Sequence, residues 1–411
     1  MFNRTVVAPD ISPPSKKGIS YQLAKYCRHI QALVFFILLA LMPLHDVDGV
    51  VNVSMALALI ALIPDYRNMA PVRPVIIVWG VFALWYFASS FWSQTPEYVY
   101  SGLRKEVLYC FICFMLSYSV ASRLPSLRPI IYTSVISLIL LTLSTTTRGI
   151  PEFMPFMLKY YPAVGDGSTS LVFFFSIAIA FLFSKNKTLF ITGLAIALIG
   201  LSLALFYQNR MFFVTLSVMI TAGLFYKTHM LSLRTKLLTL AGVAIIGFIA
   251  VVFALSVKSG AQSNYVDNAI VVAKKDPRIY MWDFYIEKGL EKPIIGYGAG
   301  YKSIRDALWD RFPEYFDIFN KSHAHNVFMN KWLQMGFVGL ILFILLYGLA
   351  FNTSLIRNTS KKTELMGLLL VLVFVGFFFK SITDDFFIRN NLLEFWLIIG
   401  LMSGIKSNTK I

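Results

Sequence analysis

Two histidines separated by one residue, His323 and His325, are followed directly by Asn326 in the stretch KSHAHNVFMNKWLQMGFVGL, where polar sequence gives way to a long apolar run. A histidine in that position faces water rather than lipid. Imidazole as a side-chain type is suited to take a proton from a hydroxyl. An H-x-H pair could also ligate zinc. No cysteine lies near it, however, and the closest carboxylates, Glu314 and Asp317, lack ligand-like spacing. The expectation is therefore no metal and no cofactor. His29, His45 and His229 fall at the ends of apolar runs or in a basic loop and read as interfacial.

Two arginines stand out beside the histidines. Arg210 lies in the three-residue turn QNR between two apolar runs, where it could either snorkel to the interface or hold a phosphate in bidentate fashion. Arg278, Trp282 and Tyr285 follow i, i+4, i+7 spacing, which puts them on one face of a short helix ending near Lys292 and Pro293. The turn GYGAG (Gly296, Gly298, Gly300) is not a dinucleotide fingerprint, because no strand precedes it and the spacing is wrong. Cys110 and Cys113 sit inside the apolar run LYCFICFML and read, with Cys27, as packing residues.

These residues depend on helices in a bilayer for their placement. The chain has 411 residues, 57% hydrophobic and 14% charged, well below the roughly 25% charged residues of soluble domains. A bilayer core of about 30 Å takes about 20 apolar residues per helix, and runs of that kind recur throughout. The fold class read from the sequence is all-α: a polytopic integral membrane protein with about 12 transmembrane helices. Disordered, collagen-like, disulfide-stapled and cytosolic classes are excluded. The expected spans lie near 29–45, 48–65, 74–92, 106–122, 129–146, 168–184, 188–208, 211–226, 237–257, 327–351, 364–381 and 391–405.

The net charge of +16 would suggest nucleic acid in a soluble protein, but cytoplasmic loops of membrane proteins are enriched in Lys and Arg. With the N-terminus inside, the inner loops and tails carry 19 of the 37 Lys and Arg. The segment 258–325 carries ten more, yet it is too long to obey the positive-inside rule. The resulting domain plan is a cytoplasmic tail at 1–28, a bundle of about nine helices at 29–257 and a large basic periplasmic loop with short helices at 258–325. Terminal helices at 326–405 and a cytoplasmic tail at 406–411 complete it. A basic loop on the outer face suggests an anionic ligand such as a phosphate-bearing lipid or glycan.

His325-Asn326, nine residues, Gly336, two residues, Gly339 forms the pattern H-[NSQ]-x9-G-x-x-[GTY]. It resembles the motif of the O-antigen ligase family, whose superfamily also contains O-antigen polymerases and some protein O-oligosaccharyltransferases. The R-x-x-x-W…K-P-x-x-G-x-G run from Arg278 looks like the same family's loop pattern, as does an arginine at the outer end of a mid-chain helix hairpin. The resemblance covers about residues 200–345. It implies transfer of a glycan from undecaprenyl pyrophosphate, the donor, to lipid A–core oligosaccharide, the acceptor, completing lipopolysaccharide at the periplasmic face of a bacterial inner membrane. Neither ATP nor a metal is implied, and no nucleic acid. Carried over by motif, His325 matches the catalytic His, Arg210 and Arg278 match the two pyrophosphate-binding arginines, and Asn326, Gly336, Gly339, Trp282 and His323 are supporting residues. Many relatives have an acidic residue where this chain has Gln334, which puts an acid–base role there in doubt.

Within the superfamily the alternative is an O-antigen polymerase; polymerases often have two sizeable outer loops, and the second here, TTTRGIPEFMPFMLKYYPAVGDGST, is short. A polysaccharide-lipid flippase or secondary transporter would carry ionisable residues at mid-membrane. Here almost every charge falls at a span end, Asp384 and Asp385 being the nearest exception, well placed to support an active site.

Overall fold

A computed structural model describes residues 16–44, 47–149, 164–207, 209–227, 278–314, 316, 323–355, 361–383, 385 and 389–408. Among these residues there are helices and turns and no strand. In chain order the helices are α1 (Lys16–Leu41), α2 (Asp48–Leu62), α3 (Arg73–Ala88), α4 (Pro96–Gly102), α5 (Tyr109–Ala121) and α6 (Arg128–Gly149). Then come α7 (Val164–Leu182), α8 (Lys187–Tyr207), α9 (Arg210–Lys227), α10 (Arg278–Glu291) and α11 (Ser303–Ala307). The last three are α12 (Val327–Ser354), α13 (Lys361–Thr383) and α14 (Arg389–Asn408). A wide π-type turn, Leu103–Leu108, joins α4 to α5.

Eight helical stretches among the described residues are long and apolar enough to cross a membrane. Their outward faces carry bare hydrocarbon: Leu84 is 69% exposed and Ile60 64%. Ser117, Ser134, Ser170, Ser176 and Thr215 are buried instead. Apolar outside and small polar inside is what a lipid solvent selects, because lipid gives helices no hydrophobic reason to associate and packing and hydrogen bonds must do so. The chain is an all-α polytopic membrane protein. Of the other expected spans, 237–257 lies outside the described residues. The span 106–122 is interrupted at its start by the π-type turn, 211–226 falls in the shorter α9, and 391–405 is α14, whose Glu394 and Lys406 lower its apolarity. The first helix begins at Lys16, within the expected tail 1–28. Once past Pro13 and Pro14, the segment KKGISYQLAKYCRH is rich in helix formers, so the first span's helix extends backwards into it.

The closest helix pair is α5 with α14. A Cβ on Gly400 would stand 2.2 Å from the Phe114 carbonyl oxygen, and one on Gly404 2.5 Å from that of Tyr118. The small-xxx-small pair lets the two backbones touch. α7 packs on α8 and α13, α9 on α13, and α12 on α3 and α14, around one large core. Outside that core, α10, α11 and the segment between them form a thin layer with a second, separate core of Met281, Tyr285, Tyr297, Ile304, Leu308, Phe312 and Phe316. The ring of Phe284 packs on those of Phe312 and Phe316 at 5.2 and 5.4 Å. Leu333 of α12 belongs to this second core, so the layer is fastened to the start of α12.

Candidate active site

Asn326 explains half of the His-Asn motif. Its side-chain Oδ1 accepts the Met329 N–H at 3.0 Å and its carbonyl accepts the Asn330 N–H at 2.9 Å, so it is the N-cap of α12. His325 is thereby the last residue before the helix. Its φ of +48° makes it the one non-glycine residue in the left-handed region among those described. That conformation costs an L-residue roughly 1–2 kcal/mol, and such strain persists only where the surroundings hold it. The His325 ring is half-buried and lies 4.1 Å from that of His323, which in turn faces Tyr301.

The surroundings that hold it are specific. Between the two histidines, the Ala324 carbonyl accepts a hydrogen bond from the Trp282 indole N–H at 2.8 Å, and the Ala324 N–H donates to Asn330 Oδ1 at 2.9 Å. Asn330, buried one turn into α12, donates its Nδ2 to Asp385 Oδ2. Two helices, α10 and α12, therefore grip Ala324 from its two sides, and Asp385 holds the Asn330 amide in place. Trp282 and the buried Tyr285 face inward from α10, as their spacing implies, and the half-buried Arg278 opens the same helix. The sequence reading missed Asn330, which looked like one more residue of an apolar helix; its signal was a lone amide in that run. Of the Asp384-Asp385 pair, Asp385 is the partner of Asn330, and Asp384 lies outside the described residues.

The second half of the motif is a break in α12. Gly336 has φ +65° and ψ −172°, and a Cβ there would stand 1.9 Å from the Ile294 carbonyl oxygen. The interruption frees backbone groups that the Pro293–Gly298 segment then pairs. Phe337 N–H donates to Pro293 O at 2.8 Å, Tyr297 N–H to Leu333 O at 2.8 Å and Gly298 N–H to Gln334 O at 2.9 Å. Of the GYGAG glycines, Gly296 serves the same approach, a Cβ there standing 2.6 Å from the Gln334 carbonyl oxygen, while one on Gly298 would lie 2.4 Å from the Ser93 hydroxyl on the other side of the turn. The K-P-x-x-G-x-G run and the distant Gly336 are thus two sides of one contact. Gly339, three residues on, packs under Met335. Gln334 donates its side-chain amide to the Gly300 carbonyl at 3.1 Å and accepts from Lys331, whose ammonium is paired with Glu106 at 2.9 Å. Both ions of that pair are over nine-tenths buried, and Glu106 comes from the π-type turn. In this chain Gln334 is a strut between α12 and the glycine turn.

Arg210 is the first residue of α9; its side chain lies outside the described ones. Its neighbour Asn209 caps α9 by accepting the Phe212 N–H at 3.1 Å and also accepts from the buried Lys380 ammonium at 3.3 Å. Lys380 is a second residue the sequence reading passed over, a lone cation in the run VFVGFFFKSIT. The loop's basicity is more contained than its composition suggested. Lys288 is paired with Glu287 and Glu291 at 2.7 and 3.0 Å, Arg311 with Glu291 at 2.5 Å and Arg305 with Asp306 at 2.7 Å, while Lys274, Lys275 and Lys321 lie outside the described residues. Among the described residues, no three His, Cys, Asp or Glu are grouped to hold a metal ion, and the three cysteines are buried and free.

Residues 170–344 match the family model described as O-antigen ligase, a stretch that runs from α7 through the layer and past both motif glycines. That match supports membership of the O-antigen ligase/polymerase superfamily. Members of the family are glycosyl-transferring enzymes of lipopolysaccharide synthesis, which agrees with a multi-pass helical bundle carrying a folded polar layer at one end. No curated protein matches the chain by sequence. For the O-antigen ligase family pattern, the structure gives each described motif residue a mechanical reason: Asn326 caps, Gly336 breaks, Trp282 clamps and His325 is left presented.

Proposed function

We propose that this protein is an O-antigen ligase that moves a glycan from undecaprenyl pyrophosphate to lipid A–core oligosaccharide at the periplasmic face of the inner membrane. The observation that carries the reading is His325: a half-exposed imidazole in a left-handed backbone conformation, capped below by Asn326 and clamped beside by Trp282 and Asn330. Held this way, His325 is the base. The acceptor hydroxyl attacks the anomeric carbon, its proton passes to His325, and the anomeric C–O bond to pyrophosphate breaks on the opposite face, inverting that centre. Undecaprenyl pyrophosphate leaves with the bonding electrons. Its growing negative charge needs fixed cations, and Arg278 on α10 with Arg210 at the start of α9 are assigned that role, bidentate guanidinium groups being suited to phosphate. Lys380, beside Asn209, adds positive charge near Arg210. No metal or organic cofactor takes part in this scheme.

The test is deletion of the gene followed by gel analysis of lipopolysaccharide. The ligase reading expects loss of the whole ladder while lipid-linked polymer is retained. A core bearing a single repeat would instead identify a polymerase and overturn the acceptor assigned here. Reporter fusions after residue 300 should read periplasmic, and those at 232, 358 and 408 cytoplasmic. Transfer by the purified protein should persist in chelator.

A further inference from the structure

At the end of the bundle away from His325 the helices part around a cavity of about 760 Å³. The chain path fixes its position. It is bordered by the α5–α6 turn, the α7–α8 turn, Lys227 at the end of α9, Glu364 in the first turn of α13 and Ile405 near the end of α14. α12 begins beside His325 and ends at Ser354, shortly before α13 opens at this far side. The cavity is therefore separate from the site described above.

Its wall and its mouth differ in chemistry. Ile131, Phe173, Ile177, Leu369, Ile398 and Met402 present hydrocarbon to the interior. At the mouth stand Arg128 and Lys185, both exposed and without an acidic partner among the described residues, and Lys227, whose ammonium meets Glu364 at 2.7 Å. Three cations against one carboxylate leave the rim positive. Arg128 opens α6 and Lys185 lies two residues before α8. The turns are held in shape by their own side chains: Ser126 accepts the Arg128 N–H at 3.2 Å, and Asn186 accepts the Thr188 N–H at 2.9 Å.

We propose that this cavity binds an acidic phospholipid of the leaflet opposite His325, with acyl chain between α6, α7, α13 and α14 and phosphate between Arg128 and Lys185. Charge complementarity decides the occupant. Basic pockets between transmembrane helices receive anionic head groups, each Lys or Arg near the surface contributing about 1 kcal/mol. A soluble anion would leave the hydrocarbon wall unfilled, and a zwitterionic lipid would leave the rim's excess charge unmatched. α6 packs mainly on α1, so a lipid here joins α6 to the remainder of the bundle. The inference goes beyond the glycosyl-transfer reading and is independent of it.

The experiment uses the full chain purified in detergent and titrated with dioleoylphosphatidylglycerol or dioleoylphosphatidylcholine, read by native mass spectrometry and by melting temperature. Phosphatidylglycerol is expected to persist as a one-to-one adduct and to raise the melting temperature; phosphatidylcholine is not. The Arg128→Gln/Lys185→Gln double variant should bind phosphatidylglycerol roughly thirtyfold more weakly, two surface cations being removed. Ile177→Trp, which fills the chamber, should lose the adduct; should it fail to fold, the exposed double variant still decides. Equal binding of both lipids, displacement of the adduct by glycerol 3-phosphate, or an undiminished adduct in the double variant would each overturn the proposal.

Discussion

The two ends of the bundle use the same kinds of side chain to opposite effect. Near the far end, Asp65 Oδ2 accepts hydrogen bonds from Gln31 at 2.9 Å, Ser119 at 2.8 Å and Arg123 at 2.6 Å, and Arg123 also donates to the Gln31 side chain. Apart from one bond from Gln31 to the Ala61 carbonyl at 2.7 Å, side chains there satisfy one another, and the cluster ties α1, the end of α2 and the end of α5 together. At the His325 end, Trp282, Asn330 and Gln334 each bond a backbone group of another segment. Trp282 and Asn330 hold Ala324, the residue just before a strained, half-exposed imidazole, and Gln334 holds the glycine turn. A polar cluster that closes on itself is a staple; one that holds a backbone against its own preference and leaves a reactive group presented is a site.

The largest effect that tests this contrast is His325→Ala. Removing a general base lowers rate by roughly a hundredfold to ten-thousandfold, so cell-free transfer should fall by that order while the protein still reaches the membrane. Transfer at wild-type rate would make the left-handed histidine a structural device like the far cluster. Next in size, Arg210→Lys and Arg278→Lys should each cost about 3 kcal/mol, on the order of a hundredfold in rate. An ammonium keeps the charge and loses the paired hydrogen bonds. If both lysine variants run normally, these arginines are interfacial anchors.

Gly336→Ala comes third and is read in stability, not in rate per folded molecule. A φ of +65° costs an alanine about 1–3 kcal/mol before any clash, and the Ile294 carbonyl occupies the space its Cβ needs. Membrane abundance and melting temperature should both drop. Asp65→Asn is the fourth and marks the other end. It removes the carboxylate from Arg123, which is about a third exposed, so the loss is below the roughly 3–5 kcal/mol of a fully buried pair. It should lower the melting temperature and leave transfer per folded molecule unchanged. A selective loss of transfer would mean the two ends are coupled.

Only the His325 side of this contrast was legible in the sequence, for reasons that also explain what was not. Apolar runs give spans because a bilayer demands them, and the two arginines and His325 stand out because they fall at the positions of the family's motif. Trp282 and Tyr285 could be put on one face from spacing alone. The pairing of Pro293–Gly298 with the break at Gly336 could not be read, since no local rule joins residues so far apart in sequence through backbone hydrogen bonds. Asn330, Lys331, Glu106 and Lys380 were invisible for a related reason. A polar residue in an apolar run shows that it needs a partner and never which one. The ten basic residues of 258–325 misled in the other direction: counting them suggested a broad positive field, whereas Lys288, Arg305 and Arg311 are matched by acidic neighbours within the layer.

The smallest predicted effect concerns that layer. Glu291 accepts from Arg311 at 2.5 Å, Lys288 at 3.0 Å and Tyr297 at 3.1 Å, and these bonds hold its carboxyl down at about 2 against an ordinary 4.5. The folded layer therefore favours the charged form more than an unfolded chain does. Its contribution to stability is complete above about pH 4.5 and is lost as pH falls from there toward 2. Because the carboxylate is solvent-exposed, the effect is a local loosening rather than unfolding. Hydrogen exchange of residues 292–300, corrected for the intrinsic rate, should stay flat from pH 7 to about 5 and rise below 4.5. Glu291→Gln should remove the pH dependence. Loosening that began between pH 7 and 5 would place the titrating group on a histidine instead. The neighbouring rings of His323 and His325 would then be holding the layer together, and the difference between the two ends of the bundle would be one of position alone.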